Sequence, residues 1–182
     1  MNRTRTVVSS LGLALLLPAA ALANDRSVRN TTPPPYTPRG DVDFIEALVP
    51  HHQAAIEMAQ MEVEKGTRPE VKAMAQQMID DQTRELAVMQ AEYKALTRRS
   101  KVPLPPRDNH MRADMTALES ATGAAVDQTF LDDMIPHHAG ALTLAHRARP
   151  FLRRQTLKDL AANIENAQAA EIGEMEQLKT AP

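Results

Sequence analysis

The stretch FIEALVPHHQAAIEMA at residues 44–59 returns as FLDDMIPHHAGALTLA at residues 130–145. A shift of 86 positions superposes residues 41–96 on residues 127–182 without a gap. Identical residues at this spacing include Phe44 and Phe130, Pro50 and Pro136, His51 and His137, His52 and His138, Gln82 and Gln168, Glu85 and Glu171, and Met89 and Met175. Self-similarity of this length predicts two copies of one structural unit.

Both copies are rich in Ala, Glu, Gln, Leu and Met and carry almost no strand signal. Apolar residues recur every three to four positions, as at Phe44, Leu48 and Ala55, which predicts an amphipathic helix. Each copy is therefore expected to form a helical hairpin. Two hairpins predict an all-α, ferritin-like four-helix bundle, with a short extra helix in the connection that ends near Gly123.

The helix boundaries carry recognisable start signals. Asp41 and Asp127 precede the first helix of each copy and are expected to cap that helix. Thr67 with Glu70 is typical of a capping box, which predicts a second helix from about Arg68 to Arg98. In the second copy the corresponding break is Pro150, followed by a helix to about Lys179.

The sequence before the repeat predicts export. Arg3 and Arg5 form a basic start, residues 7–17 are mostly apolar, and Ala21-Leu22-Ala23 is typical of a cleavage site. The apolar run is shorter than the roughly 20 residues of a membrane span. We therefore expect cleavage after Ala23, release to the periplasm or outside, and no stable membrane insertion. The predicted domains are a signal peptide (1–23), a Pro-rich disordered tether (24–40) and a bundle (41–180) that consists of repeat one (41–98), connection (99–126) and repeat two (127–180).

Composition narrows the function. The 182 residues include 21 Lys and Arg against 23 Asp and Glu, and removing residues 1–23 takes away two Arg and no acid, so the net charge falls from −2 to −4. A sequence pI near 6.3 disfavours nucleic-acid binding. Without Cys there is no disulfide or thiolate ligand. Any bound metal must then use His, Met, carboxylate or amide groups.

Polar residues interrupt the predicted core in both copies. His51 and His52 flank the apolar stripe of the first helix, and Gln82 and Glu85 lie on the stripe of the second. Pro50 removes a helix hydrogen bond just before the histidines and is expected to kink the helix. Unpaired carboxylates are costly in a core, so the histidines are their expected partners.

A His, Gln and Glu set can be a metal site or a buried hydrogen-bond network that only fixes packing. Adjacent helix residues point about 100° apart, so one His of each pair is expected to bind and the other to orient the site. Imidazole and thioether without thiolate favour copper, particularly Cu(I), although Met is also ordinary core filler. The candidate metal ligands are His51, His52, Met58, Met61, Glu85, Met89, His137, His138, Glu171 and Met175.

The two PHH motifs, each followed by Q-x-x-E-[LI]-x-x-M, resemble the exported bacterial proteins of the domain of unknown function 305 family. This resemblance covers nearly everything from Asp41 to Leu178. It implies a ferritin-like four-helix bundle in the periplasm, with some members similar to copper-binding proteins of metal resistance or homeostasis. The second copy departs from the pattern, because Thr143 and Leu144 stand where the first has Glu57 and Met58. We expect the first hairpin to be the better copper site.

Three functions are compatible with these patterns. The leading hypothesis is an exported copper-binding protein without enzymatic activity. The alternatives are a ferritin-like oxidoreductase and a metal-free binding module with a structural His, Gln and Glu network. The di-iron class uses two Glu-x-x-His segments, and this sequence has none. The patterns leave open whether the two half-sites share one ion, and whether the protein forms a homo-oligomer or has a metal-exchange partner.

Overall fold

A computed structural model describes residues 37–104 and 109–180 of the chain. The predicted signal peptide and most of the predicted tether lie outside these residues. The five α-helices of the described part are α1 (Asp41–Lys65), α2 (Pro69–Thr97), α3 (Asn109–Ser120), α4 (Ala124–Ala148) and α5 (Gln155–Thr180). A short 3-10 turn, Arg149–Phe151, joins the last two.

Helices α1 and α2 pack as one hairpin and α4 and α5 as a second. The hairpins meet mainly through α1 and α4, α2 and α5 touch only slightly, and α3 packs against α1 and α4. The predicted all-α bundle of two hairpins with an extra helix is therefore confirmed. Within the described ranges, no helix has both the length and the apolar character needed to cross a bilayer.

The apolar core is divided into two clusters. The first cluster combines the start of α1 with the end of α2, the end of α4 and the start of α5, and it contains Phe44, Leu48, Met89, Tyr93, Leu144, Leu157 and Ile164. The second combines the opposite ends of the same helices with α3, and it contains Met58, Val71, Met78, Leu118, Phe130, Met134 and Met175. Because each cluster takes opposite ends of α1 and α4, these two helices run antiparallel. Their midpoints lie between the clusters.

The helix starts are capped across the hairpins, which corrects the expected capping. Helix α4 begins three residues before Asp127, and the Asp127 carboxylate accepts hydrogen bonds from the backbone N–H groups of Thr67 (3.0 Å) and Arg68 (2.8 Å) at the start of α2. Asp41 likewise accepts from the backbone N–H of Arg153 (2.9 Å), just before α5. Each aspartate therefore serves the second helix of the other hairpin, because the crossing of α1 and α4 brings it there.

The predicted capping box of Thr67 and Glu70 is also wrong, because Asp127 of the other hairpin binds the groups at the start of α2. The Thr67 hydroxyl donates to Asp127 Oδ2 at 2.6 Å, and Glu70 accepts from Arg68 Nε at 2.8 Å. Helix α2 has Arg68 at its N-cap and no side-chain cap of its own. The aspartate from the other hairpin has taken the place of the local acceptor.

A buried carboxyl lies beside this cross-hairpin cap. Glu62 is fully buried, and among the described residues no donor hydrogen-bonds to either of its carboxyl oxygens. Burial and the neighbouring Asp127 raise the pKa of Glu62 to about 8, so that near neutral pH its proton can be donated to Asp127. A Cβ at Gly66 would overlap the Glu62 carboxyl, so this side chain fits only because residue 66 is glycine.

Glu62→Gln is expected to stabilise the protein at alkaline pH. The folded state holds the Glu62 proton up to about pH 8, whereas the unfolded chain releases it near 4.5. The wild type therefore loses stability as pH rises through this window. At pH 9 the neutral amide should gain on the order of 2 kcal/mol over wild type, a difference that shrinks towards pH 5. Urea unfolding at both pH values measures it, with exposed Glu64→Gln as the control. Equal stability of wild type and Glu62→Gln at pH 9 would contradict the assignment.

Candidate metal centre

Both histidine pairs lie at the middle of their helices. Helices α1 and α4 continue through Pro50 and Pro136, and the histidines follow immediately on the C-terminal side. Each proline lacks the N–H that would bond to the carbonyl four residues earlier. The predicted location of the histidines beside the core is confirmed, since His52 and His138 are completely buried.

The second histidine of each pair binds a glutamate of its own hairpin. The Nε2–H of His52 donates to Glu85 Oε2 at 2.7 Å, and the Nε2–H of His138 donates to Glu171 Oε2 at 2.8 Å. The two bonds span the same sequence separation, 33 residues. The glutamate side chains retain 19% exposure, so each carboxylate lies at the edge of the buried layer. The expected pairing of core carboxylates with histidines is therefore present in both hairpins.

The first histidines of the two pairs meet each other across the α1–α4 contact. The ring centroids of His51 and His137 are 3.8 Å apart, with an angle of 42° between the ring planes. His138 is the next ring, with its centroid 6.5 Å from that of His137. Four imidazoles from two hairpins thus form one cluster at the centre of the molecule, which we call the histidine cluster (His51, His52, His137 and His138).

Desolvation keeps the central histidines uncharged, although both residues retain intermediate exposure. Desolvation, with smaller contributions from the neighbouring histidines, lowers the pKa of His51 to about 3. The same causes hold the pKa of His137 well below its ordinary value. A neutral imidazole has one nitrogen lone pair that can accept a hydrogen bond or bind a metal. Both rings are therefore in the protonation state that a metal ligand requires.

Several buried polar atoms of this layer have no hydrogen-bond partner. Both ring nitrogens of His137 are buried and unpartnered, and so are the Nδ1 atoms of His52 and His138. The side-chain oxygens of Gln82 and Gln168 share this state. Buried polar groups are nearly always satisfied, so such a concentration at one level calls for a ligand or water. A histidine that donates one ring N–H to a carboxylate and leaves the other nitrogen free also matches the usual second-shell support of a metal ligand.

The predicted ligands do not all come together. Met58 and Met175 lie in the second apolar cluster, where Met61 packs at the edge, and Met89 lies in the first. Their role as ligands stays a prediction. Across residues 37–104 and 109–180, no three His, Asp or Glu side chains converge in an arrangement that would hold a metal ion. What the fold brings together is the His51 and His137 pair, with two His–Glu pairs beside it.

One residue of the centre was not singled out from the sequence. A Cβ built on Gly140 would lie 3.1 Å from His51 Nε2, and among the described residues beyond the adjoining part of α4 only this ring comes within 4 Å of it. Helix α4 therefore presents no side chain to His51 at this position, and the His51 ring lies close to the glycine. The signal was visible in the repeat, because Gly140 stands where the first copy has Ala54.

A family model described as a domain of unknown function, DUF4142, matches residues 26–178. The chain belongs to this family. CopM in its Cu(II)-bound form is a solved structure 36% identical to this chain, with a TM-score of 0.69, covering 77% of this chain and 95% of CopM. CopM has also been solved in a Cu(I)-bound form, with 36% identity and a TM-score of 0.67. The comparison with curated protein sequences gives no match.

DUF305 proteins share the same fold. A DUF305 fragment from Deinococcus radiodurans is 25% identical, with a TM-score of 0.69, and the match covers 80% of this chain and 98% of the fragment. A DUF305 protein from Streptomyces coelicolor, 24% identical with a TM-score of 0.65, covers 74% of this chain and 87% of its own, and shows the fold alone. The resemblance to DUF305 proteins drawn from the PHH motifs is confirmed.

Replacing His51 and His137 should reduce the loss of folding stability that occurs as the pH falls. Unfolded His51 gains a proton near pH 6.5, whereas folded His51 stays neutral to about pH 3. Stability should therefore fall as pH drops through this window, by about 1 kcal/mol per pH unit for each such histidine. His51→Gln/His137→Gln should flatten the decline between pH 6 and 4 in urea unfolding. His146→Gln, at a side chain 80% exposed, is the control. An unchanged slope in the double variant would show that these rings are not buried neutral.

Loss of either glutamate should destabilise the bundle by a similar amount. Glu85→Ala leaves buried His52 Nε2 without its acceptor, and Glu171→Ala does the same to His138. Each change is expected to cost about 1–3 kcal/mol in the free energy of unfolding, measured by urea titration. Exposed Glu174→Ala serves as the control. A large effect at one position and none at the other would contradict equivalent roles in the two hairpins.

Proposed function

We propose that the protein binds copper at the histidine cluster, with His51 and His137 as ligands of one shared ion. The supporting observation is their direct contact, with a centroid separation of 3.8 Å, beside the buried His52 and His138, where both His137 nitrogens have no hydrogen-bond partner among the described residues. The sequence favoured a site within the first hairpin. A shared site accounts better for the meeting of one histidine from each copy.

The donor set fits copper. Neutral imidazole is a common copper ligand, and two ligands are enough for a monovalent d10 ion such as Cu(I) or Ag(I). CopM, the 36% identical relative, has been solved with Cu(I) and Cu(II) and also with silver. Bound copper would place a cation within the layer that also holds Glu85 and Glu171, the carboxylate partners of His52 and His138.

The chain's own residues would prepare this site in two ways. The hydrogen bonds to Glu85 and Glu171 fix the rings of His52 and His138, and those rings flank the central pair. Both ring nitrogens of His137 are buried and have no hydrogen-bond partner among the described residues, so they would be free to bind the ion. We propose binding and transfer of copper in an exported protein rather than catalysis.

Titration with Cu(I) against a chromophoric chelator tests the proposal. The chain from Asn24 onward is expected to bind one ion, and His51→Ala/His137→Ala should weaken the affinity by about 100-fold or more. His146→Ala, at an exposed histidine outside the cluster, should bind like the wild type. Absence of binding by the wild type, or an unaffected double variant, would overturn it. Oxygen consumption on addition of ferrous ion would instead support an oxidoreductase.

A further inference from the structure

The two halves of the histidine cluster differ in access. His51 and His137 are equivalent in the repeat, yet both ring nitrogens of His137 are among the buried unpartnered atoms of the described residues and neither nitrogen of His51 is. The repeat also differs at the residue next to His51, because α4 has Gly140 where the equivalent position of α1 is the buried Ala54. The two copies of the repeat therefore differ beside the ring that is less enclosed.

An ion cannot lie between the two rings as they stand. Metal to imidazole nitrogen bonds are about 2 Å long, so an ion held between facing rings would separate them by more than the observed 3.8 Å between centroids. It must approach from an edge of the pair. The position that a Cβ at residue 140 would take lies at such an edge, since among the described residues outside the adjoining part of α4 only the His51 ring comes within 4 Å of it.

We propose that Gly140 keeps open the approach to His51 Nε2, so that the ion reaches the histidine pair from this side. This inference rests on the proposed function. Gly140 is a positioning residue with no ligand atom of its own. A methyl group there would lie 3.1 Å from Nε2, so that the His51 ring would have to shift by a few tenths of an ångström.

Gly140→Ala and Gly140→Val form a graded test, and Gly173→Ala is the matched control. Gly173 lies within α5, and nothing comes within 4 Å of a Cβ built there, so this change raises helix propensity without touching the cluster. The probes are Cu(I) with a competing chelator and Ag(I), which does not change oxidation state. Stopped-flow mixing gives the association rate.

Gly140→Ala is expected to weaken binding or slow association by about 10-fold, and Gly140→Val by more. Gly173→Ala should match the wild type in both. In metal-free protein, the imidazole NMR signals of His51 should move in Gly140→Ala and stay in place in Gly173→Ala, a readout independent of copper. Circular dichroism and urea unfolding check that each variant is folded.

The outcomes separate the two proposals. If wild type does not bind while the His51 signals move, copper binding fails and the contact at Gly140 stands. If wild type binds and His51→Ala/His137→Ala does not, but Gly140→Ala and Gly140→Val keep wild-type affinity and rate, then the role of Gly140 is overturned and the metal site stands. Equal losses in Gly140→Ala and Gly173→Ala would assign the effect to helix propensity and would also overturn the role of Gly140.

Discussion

The hydrogen bond between a buried histidine and a carboxylate on the neighbouring helix is the constraint from which the rest of the bundle follows. A buried imidazole N–H without an acceptor costs more than the bond itself contributes. The rotation of α1 against α2 is therefore set by His52 and Glu85, and that of α4 against α5 by His138 and Glu171. With both hairpins fixed this way, the preceding histidines project towards the surface where α1 meets α4. The apolar core must then form as two clusters, one on each side of the polar layer.

The sequence predicted most of the helices and contacts within each hairpin and far fewer of the contacts between the two hairpins. Helical periodicity and the repeat located all four long helices, and the Glu residues that interrupt the apolar stripes identified the partners of His52 and His138. These are local features, because residues on one helix face must meet the next helix of a short hairpin. The caps from Asp41 and Asp127, the burial of Glu62 and the contact of His51 with His137 depend on how α1 crosses α4. No periodicity specifies that crossing. The sequence also could not assign Met58 and Met89 to the core, because their spacing along the helix fits a metal ligand and a core residue equally well.

The neutral state of the desolvated His51 and His137 has an energetic cost and a chemical benefit. The cost is that the free energy of unfolding decreases in acid, because the unfolded chain binds protons that His51 and His137 do not bind in the folded state. The benefit is that a metal ion binding to these rings would not have to displace a proton, whereas a protonated histidine in water must lose its proton before it binds a metal. Carboxylates on the far side of His52 and His138 supply negative charge without occupying the central nitrogens. The layer thus separates the groups that would donate to a metal from those that balance its charge.

The exchanged caps at Asp41 and Asp127 also bear on the origin of the chain. Each hairpin carries the acceptor that the other hairpin needs, so the contact is the same in both directions, as in an isologous two-fold dimer. A single ancestral hairpin that paired with a second copy of itself would have made both caps and the central imidazole contact from one set of residues. Duplication and fusion would then preserve that interface within one polypeptide. Within one polypeptide the two copies can differ in sequence, as they do at Ala54 and Gly140.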